Sequence, residues 1–212
     1  MNENLKKSIT LRLNAAAEAL NKNRMEARVV GSREELISEI SKLISKTDKV
    51  FSGGSETLKE TGVIDFLNNG GYDYYYRGRK NADGTEIDVL REAFFGDWYL
   101  TSANAITLNG ELYNVDGNAN RVAAISYGPK NVIVVAGYNK IVADINEAVE
   151  RVKGIAAPAN CVRLDKKTGC AVTGHCTNCK GDDRICCAYT VHGFQRFAGR
   201  IKVFLLPEEL GY

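Results

Sequence analysis

The residues most able to do chemistry lie close together near the C-terminus. The stretch GCAVTGHCTNCKGDDRICCAYTVHGF holds five of the six cysteines and both histidines, His175 and His192. From Cys170 the spacing runs C-x5-C-x2-C-x6-C through Cys176 and Cys179 to Cys186. A CxxC pair with two further thiols nearby suits the four thiolates that zinc takes tetrahedrally, or that a cubane iron–sulfur cluster takes. TGHCTNCKGDD is rich in turn formers, as a loop wrapped around an ion should be. Lys166, Lys167, Lys180 and Arg184 would favour thiolates and balance their charge. Spacing and composition do not choose between the two metals, and His175 or Cys187 can replace one ligand in either. A redox-active Cys176–Cys179 pair is the alternative chemistry. Cys161, in PANCVRL, reads as a small core residue.

A second set of residues points to anions. Arg121 follows DGNAN and Lys140 follows VAGYN, each read as the start of a helix after a strand. A cation in a first helical turn opposes the helix dipole, and an anionic ligand would offset that cost. The alternative is that both side chains turn away to surface carboxylates. The turns FSGGSET, LTSANA and YNVDGNANR supply the polar groups of such a rim: Gly53, Gly54, Ser55, Thr57, Ser102, Asn104, Asn114, Gly117 and Asn120. FSGGSET is neither GxGxxG nor GxxxxGK[ST], so it is no dinucleotide fingerprint or P-loop; by itself it reads first as a helix-capping turn around Ser55 or Thr57. With both histidines in or beside the cysteine segment, acid–base chemistry on this rim falls to a carboxylate, lysine or tyrosine. Asp116 is the catalytic candidate, against the plainer reading of an Asp-Gly turn bonded to its own backbone.

The elements that must position these groups alternate between two periods. Leu5, Ile9, Leu11, Leu13, Ala16 and Leu20 predict a helix over 5–22, followed by the short strand MEARVV. Ser32 and Glu35 form a capping box ahead of a second helix. DKVF predicts a strand leading through a glycine turn into a third helix, GGSETLKETGVIDFLNN. A helix near 87–95 leads to the strand WYLTSA. AITL and ELYNV flank Asn109-Gly110, the signal of a two-residue hairpin. NVIVVAG predicts a buried strand and 141–153 a long helix, and IKVFLL closes the sheet. Successive βα units predict an α/β domain with a parallel sheet, spanning 1 to 160 and 200 to 212, with a cysteine-rich insert between. Such sheets bind ligands at the carboxyl ends of their strands.

Composition excludes several classes. The chain has 212 residues, 44% hydrophobic and 25% charged, with a net charge of +2, which argues against bulk electrostatic binding of nucleic acid or membrane. YYYRGRK, residues 74–80, mixes aromatic and basic side chains but reads as a strand end before the Asp83-Gly84 turn. The opening residues lack the apolar run of a signal peptide, and 132–137 is far too short to span a bilayer. A cytoplasmic, reducing location is expected, which disfavours structural disulfides.

The stretches FSGGSETLKETGV, DWYLTSANAITLNGELYNVDGNANRVAA, PKNVIVVAGYNKIV, PANCVRL and VFLLPEELGY resemble the LUD domain family of lactate-utilization proteins, over residues 50–212. The resemblance is to a stand-alone subgroup with this cysteine segment. It implies a single domain over 1–212, with residues 165–195 as a metal-binding insert. The implied fold is a three-layer Rossmann-like sheet of the ribose-phosphate isomerase and CoA-transferase type. The implied role is in oxidising L-lactate to pyruvate beside iron–sulfur partner proteins, with a small anionic ligand and either a four-iron, four-sulfur cluster or zinc.

Overall fold

The computed structural model describes residues 2–212. In chain order the elements are α1 (Glu3–Lys22), β1 (Glu26–Val29), α2 (Arg33–Leu43), β2 (Lys49–Ser52), α3 (Glu56–Glu60), α4 (Val63–Asn69), β3 (Asp73–Tyr75), α5 (Val89–Glu92), β4 (Trp98–Thr101), β5 (Ala105–Thr107), β6 (Leu112–Asp116), α6 (Asn120–Tyr127), β7 (Asn131–Gly137), β8 (Ile141–Val142), α7 (Ile145–Arg151), α8 (Ala157–Arg163), α9 (Gly169–Thr173), β9 (Ala188–His192) and β10 (Ile201–Leu206). The mixed α/β expectation holds. Six strands form a wholly parallel sheet in the order β1-β10-β7-β4-β2-β3, with helices on both faces.

Strand alternation divides the core. Val132, Val134 and Ala136 of β7 face one side with Ile201, Val203 and Leu205 of β10, against Ile9, Leu13 and Leu20 of α1. Ile133, Val135, Phe204 and Leu206 face the other, against Leu36 and Ile40 of α2 and Leu58, Val63 and Leu67 of α3 and α4. Period-2 burial on both faces is why these strands read as continuous apolar runs. On α1 the buried stripe is Ile9, Leu13, Ala16 and Leu20, while Leu5 and Leu11 are exposed. The Ser32 cap is present: its side chain accepts from the Glu35 amide, and Glu35 reaches back to the Gly31 amide.

IKVFLL is the last strand, β10, and runs inside the sheet between β1 and β7. Three expectations need correction. The single helix after GGSET is two, α3 and α4, separated at Gly62, whose φ of +75° is left-handed. The Asn109-Gly110 hairpin closes over three residues: the Thr107 amide bonds Glu111 O, and Gly110, at φ +79°, takes the left-handed position of a bulged turn. The helix expected from 141 starts at 145, capped by Asp144, because Ile141–Val142 is instead strand β8, paired with β5.

β8, β5, β6 and β9 form a second, four-stranded sheet. One of its faces packs into the α1 core through Ile106, Leu112 and Ile141, and the other onto α7 through Ala105, Tyr113 and Val142. β9, which lies within the segment read as a cysteine-rich insert, pairs with β6 along its whole length. The YYYRGRK segment lies at the β3 edge, where Arg79 pairs with Asp73 and stacks on Tyr75. Among the described residues no helix is long and apolar enough to cross a membrane.

Candidate functional site

β7, β4 and β2 are neighbours, and the loops leaving their carboxyl ends meet at one amine. Lys140 ends a tight turn after β7 and is 3% exposed. Its Nζ donates to Thr57 Oγ1, in the first turn of α3 after β2, and to Ser102 Oγ, after β4, both at 2.9 Å. No carboxylate lies within ion-pair distance of it among the described residues. Burial first, then the nearby Arg151 and Arg121 charges, lower its pKa to about 7. Two neutral hydroxyls stabilise an ammonium far less than a carboxylate would, so the folded protein holds this amine near its titration point. The macrodipole argument for Lys140 falls with the displaced helix start; burial, opposed only weakly by the more distant Glu60 carboxylate, replaces it.

Lys140 lines a cleft of about 570 Å³ together with Gly54, Ser55, Thr57, Ser102 and Asn104, and with Asp116, Gly117, Asn120 and Arg121. Most of the sequence-derived rim is therefore brought together. Gly53 and Asn114 stay outside the cleft: a Cβ on Gly53 would lie 3.1 Å from Arg121 Cδ, and Asn114 is fully buried beneath that arginine. Ser55 also caps α3 by accepting from the Leu58 amide.

Arg121 lines the cleft, and its terminal nitrogens are already bonded within the protein. Its guanidinium donates to Asn114 Oδ1 at 2.6 Å, Asn104 Oδ1 at 2.9 Å, Val115 O at 2.7 Å and Ser102 O at 3.3 Å, and its Nε faces Asp116 Oδ2 at 3.6 Å. Asp116 Oδ2 in turn accepts from the Arg121 and Val122 amides at the start of α6, and Oδ1 from Asn118. The anion that offsets a cation at this helix start is thus internal. Ala119, which precedes α6 in a left-handed conformation, has no side chain to cap it, and Asp116 supplies the carboxylate. The Asp116 oxygens are bonded to backbone amides, and Arg121 is a clamp joining the loop after β4 to β6.

Other residues of the site carried no local signal. Arg151 of α7 bonds Asn139 O and Asn104 O, bracing the β7 and β4 loops. The C-terminal Gly211 seats against Thr57: its φ is +55°, and a Cβ there would lie 2.7 Å from Thr57 Oγ1. Arg77, Arg163, Lys166, Arg184 and Tyr212 also line the cleft. Lys166 pairs with Asp183 and Arg163 with Glu56. Neither histidine serves the cleft. His192 bonds Ser126 at 2.8 Å, and burial, then Arg200 and Arg121, lower its pKa to about 4, while His175 is exposed.

The cysteines form a second cavity, of about 310 Å³, lined by Cys161, Cys170, Cys176, Cys179 and Cys186. Cys187 is exposed outside it, and all six cysteines are free thiols. Cys161, read from sequence as a core residue, is 1% exposed yet reaches this cavity. Burial first, and then the Cys161, Cys176 and Cys170 thiols, push Cys186 up to about 11. Among the described residues no group of three or more His, Cys, Asp and Glu side chains is arranged to hold a metal ion.

The LUD domain family model matches residues 13–206. A DUF162 family protein from Deinococcus radiodurans, known from a crystal structure, shares the fold at 17% identity and a TM-score of 0.51, over 95% of this chain and 98% of that one. No curated protein matches the chain.

Proposed function

The chain belongs to the LUD domain family, and we propose that its strand-end cleft binds a small anionic metabolite, a hydroxy or oxo carboxylate of lactate or related small-carboxylate utilization. The observation that carries this reading is Lys140: a buried amine with two hydroxyl partners and no carboxylate, on the wall of an open cleft. A ligand carboxylate against Nζ would supply the missing counter-charge and draw a proton onto the amine. Ser102 and Thr57 hold Nζ in place, while Arg121 and Asp116 keep the surrounding loops in register. Lys140, able to take or release a proton near neutrality, is a better acid–base group than Asp116, whose oxygens are committed to backbone amides. The thiol cavity supports the alternative role of an accessory module beside iron–sulfur partner proteins, and six free thiols fit a reducing cytoplasm.

Calorimetric titration with L-lactate and pyruvate tests the reading. Binding should weaken by at least about tenfold in Lys140→Met. Proton uptake on binding should be near zero at pH 6 and approach one at pH 8.5, because only a deprotonated Lys140 has a proton to gain. Equal affinity in the variant, or no binding of either acid, would remove the proposal.

A further inference from the structure

The cavity lined by thiols is separate from the carboxylate cleft, though the two share a wall, and it is built. Cys176 Sγ accepts the Asn178 amide at 3.4 Å, with Asn178 in a left-handed turn at φ +50°. Thr168 Oγ1 lies 3.3 Å from Cys170 Sγ. Arg184 bonds the carbonyls of both Cys179 and Cys186. Asp183 ties the loop to Lys166 and to the Lys167 amide. The helical run through α7 and α8 contributes as well. Its π turn at Val152–Ala156 directs the Ala157 amide to Val152 O, and Pro158 has no N–H to offer Lys153 O. That free carbonyl accepts the Cys176 amide at 3.0 Å. Gly169 has no Cβ where Thr177 Oγ1 would lie 2.2 Å away, which lets the CxxC turn close down.

The spacing of the thiols around this void bears on what it fits. Four thiolates on one zinc, at Zn–S of about 2.3 Å, stand about 3.8 Å apart and leave no cavity between them. Here five thiols share the lining of a cavity of about 310 Å³, and among the described residues no three ligands gather on one point. A cubane cluster places one thiolate on each of four separate irons, around a core of irons and sulfides. Lys153 and Arg184 line the same cavity and offset its negative charge.

We propose that Cys170, Cys176, Cys179 and Cys186 hold a four-iron, four-sulfur cluster, and that its loading orders the wall of the carboxylate cleft. Cys161 lines the same cavity from α8. The coupling is structural: Arg184 and Ile185 line both cavities, and Asp182 and Asp183 line the cleft. The Cys187 amide bonds Asp116 O at 3.0 Å, and a Cβ on Gly117 would lie 3.4 Å from Ile185 O. The coupling rests on the cleft being the ligand site; the cluster does not.

The test is anaerobic reconstitution of the full chain with ferrous iron and sulfide. About four irons per chain, with broad visible absorbance that bleaches on reduction, are expected. Cys176→Ser/Cys179→Ser should lose the iron while keeping native circular dichroism, and Cys187→Ser should keep it. One zinc and no colour, iron retained by the double variant, or no metal at all would overturn the cluster. Hydrogen exchange reads the coupling without any ligand. Amides 180–187 and 116–120 should slow at least about tenfold on loading, and unchanged exchange in iron-loaded protein would overturn the coupling alone.

Discussion

Lys140→Met should make the ligand-free protein more stable, by an amount that depends on pH. A fall from the ordinary 10.5 to about 7 corresponds to about 4–5 kcal/mol spent burying the ammonium at low pH. Methionine fills a similar volume without the charge. Against this, Thr57 and Ser102 each lose a donor, at about 1 kcal/mol apiece, so a net gain of roughly 2–3 kcal/mol at pH 6 is expected. The sign follows from proton counts. Between about pH 7 and 10 the unfolded lysine stays protonated while the folded one does not, so wild-type stability rises with pH across that window. The gap between variant and wild type should therefore shrink by about 2–3 kcal/mol from pH 6 to pH 9, and other titrating groups cancel in the difference. Urea unfolding of both proteins, in buffers free of carboxylate and phosphate, reads this as a midpoint advantage for the variant of about 1 M at pH 6 that largely disappears at pH 9. A variant less stable at both pH values, or a gap that does not move, would refute the picture of an unpaired buried amine.

Arg121→Met strands Asn104, Asn114 and the Asp116 carboxylate at once and should cost about 3–5 kcal/mol in thermal or urea unfolding; a loss under about 1 kcal/mol would mean the clamp is not structural. His192, held near 4 against an ordinary 6.5, contributes in the opposite part of the pH scale. The unfolded state gains a proton that the folded state refuses, so stability falls as pH drops from about 6.5 to 4. The loss is on the order of 1–2 kcal/mol after discounting for its partial exposure, and a His192→Gln profile should be flatter over that range. Gly110→Ala places a Cβ 2.4 Å from the Ala19 carbonyl carbon at φ +79° and should cost more than about 2 kcal/mol, seen as a lowered melting temperature. Because the bound carboxylate protonates Lys140, affinity should decline above pH 7, by up to about tenfold per unit, and a flat profile in calorimetry would contradict it.

Local pattern determined much of this protein. The runs NVIVVAG and IKVFLL, the helix over the first twenty residues, the Ser32 cap and the Asn109-Gly110 turn all express short-range sterics and periodicity, and they are where the sequence places them. The strand-end turns likewise name ten residues of the cleft wall, and the cysteine spacing names four thiols of the second cavity. Tertiary packing decided what those residues do. Whether Lys140 faces solvent or a buried cleft depends on β8 pairing with β5 and on neighbours 83 and 38 residues away in sequence. Whether Arg121 is free depends on acceptors from three strand ends, and they consume its donors. Cys161 becomes part of a thiol cavity because α8 packs against α9, and β9 joins a sheet because β6 offers it an edge. Periodicity reports which face of an element is apolar; it carries no information about which distant polar group will meet a given side chain. Burial and partner together set the charge of an amine, and both are properties of the folded chain.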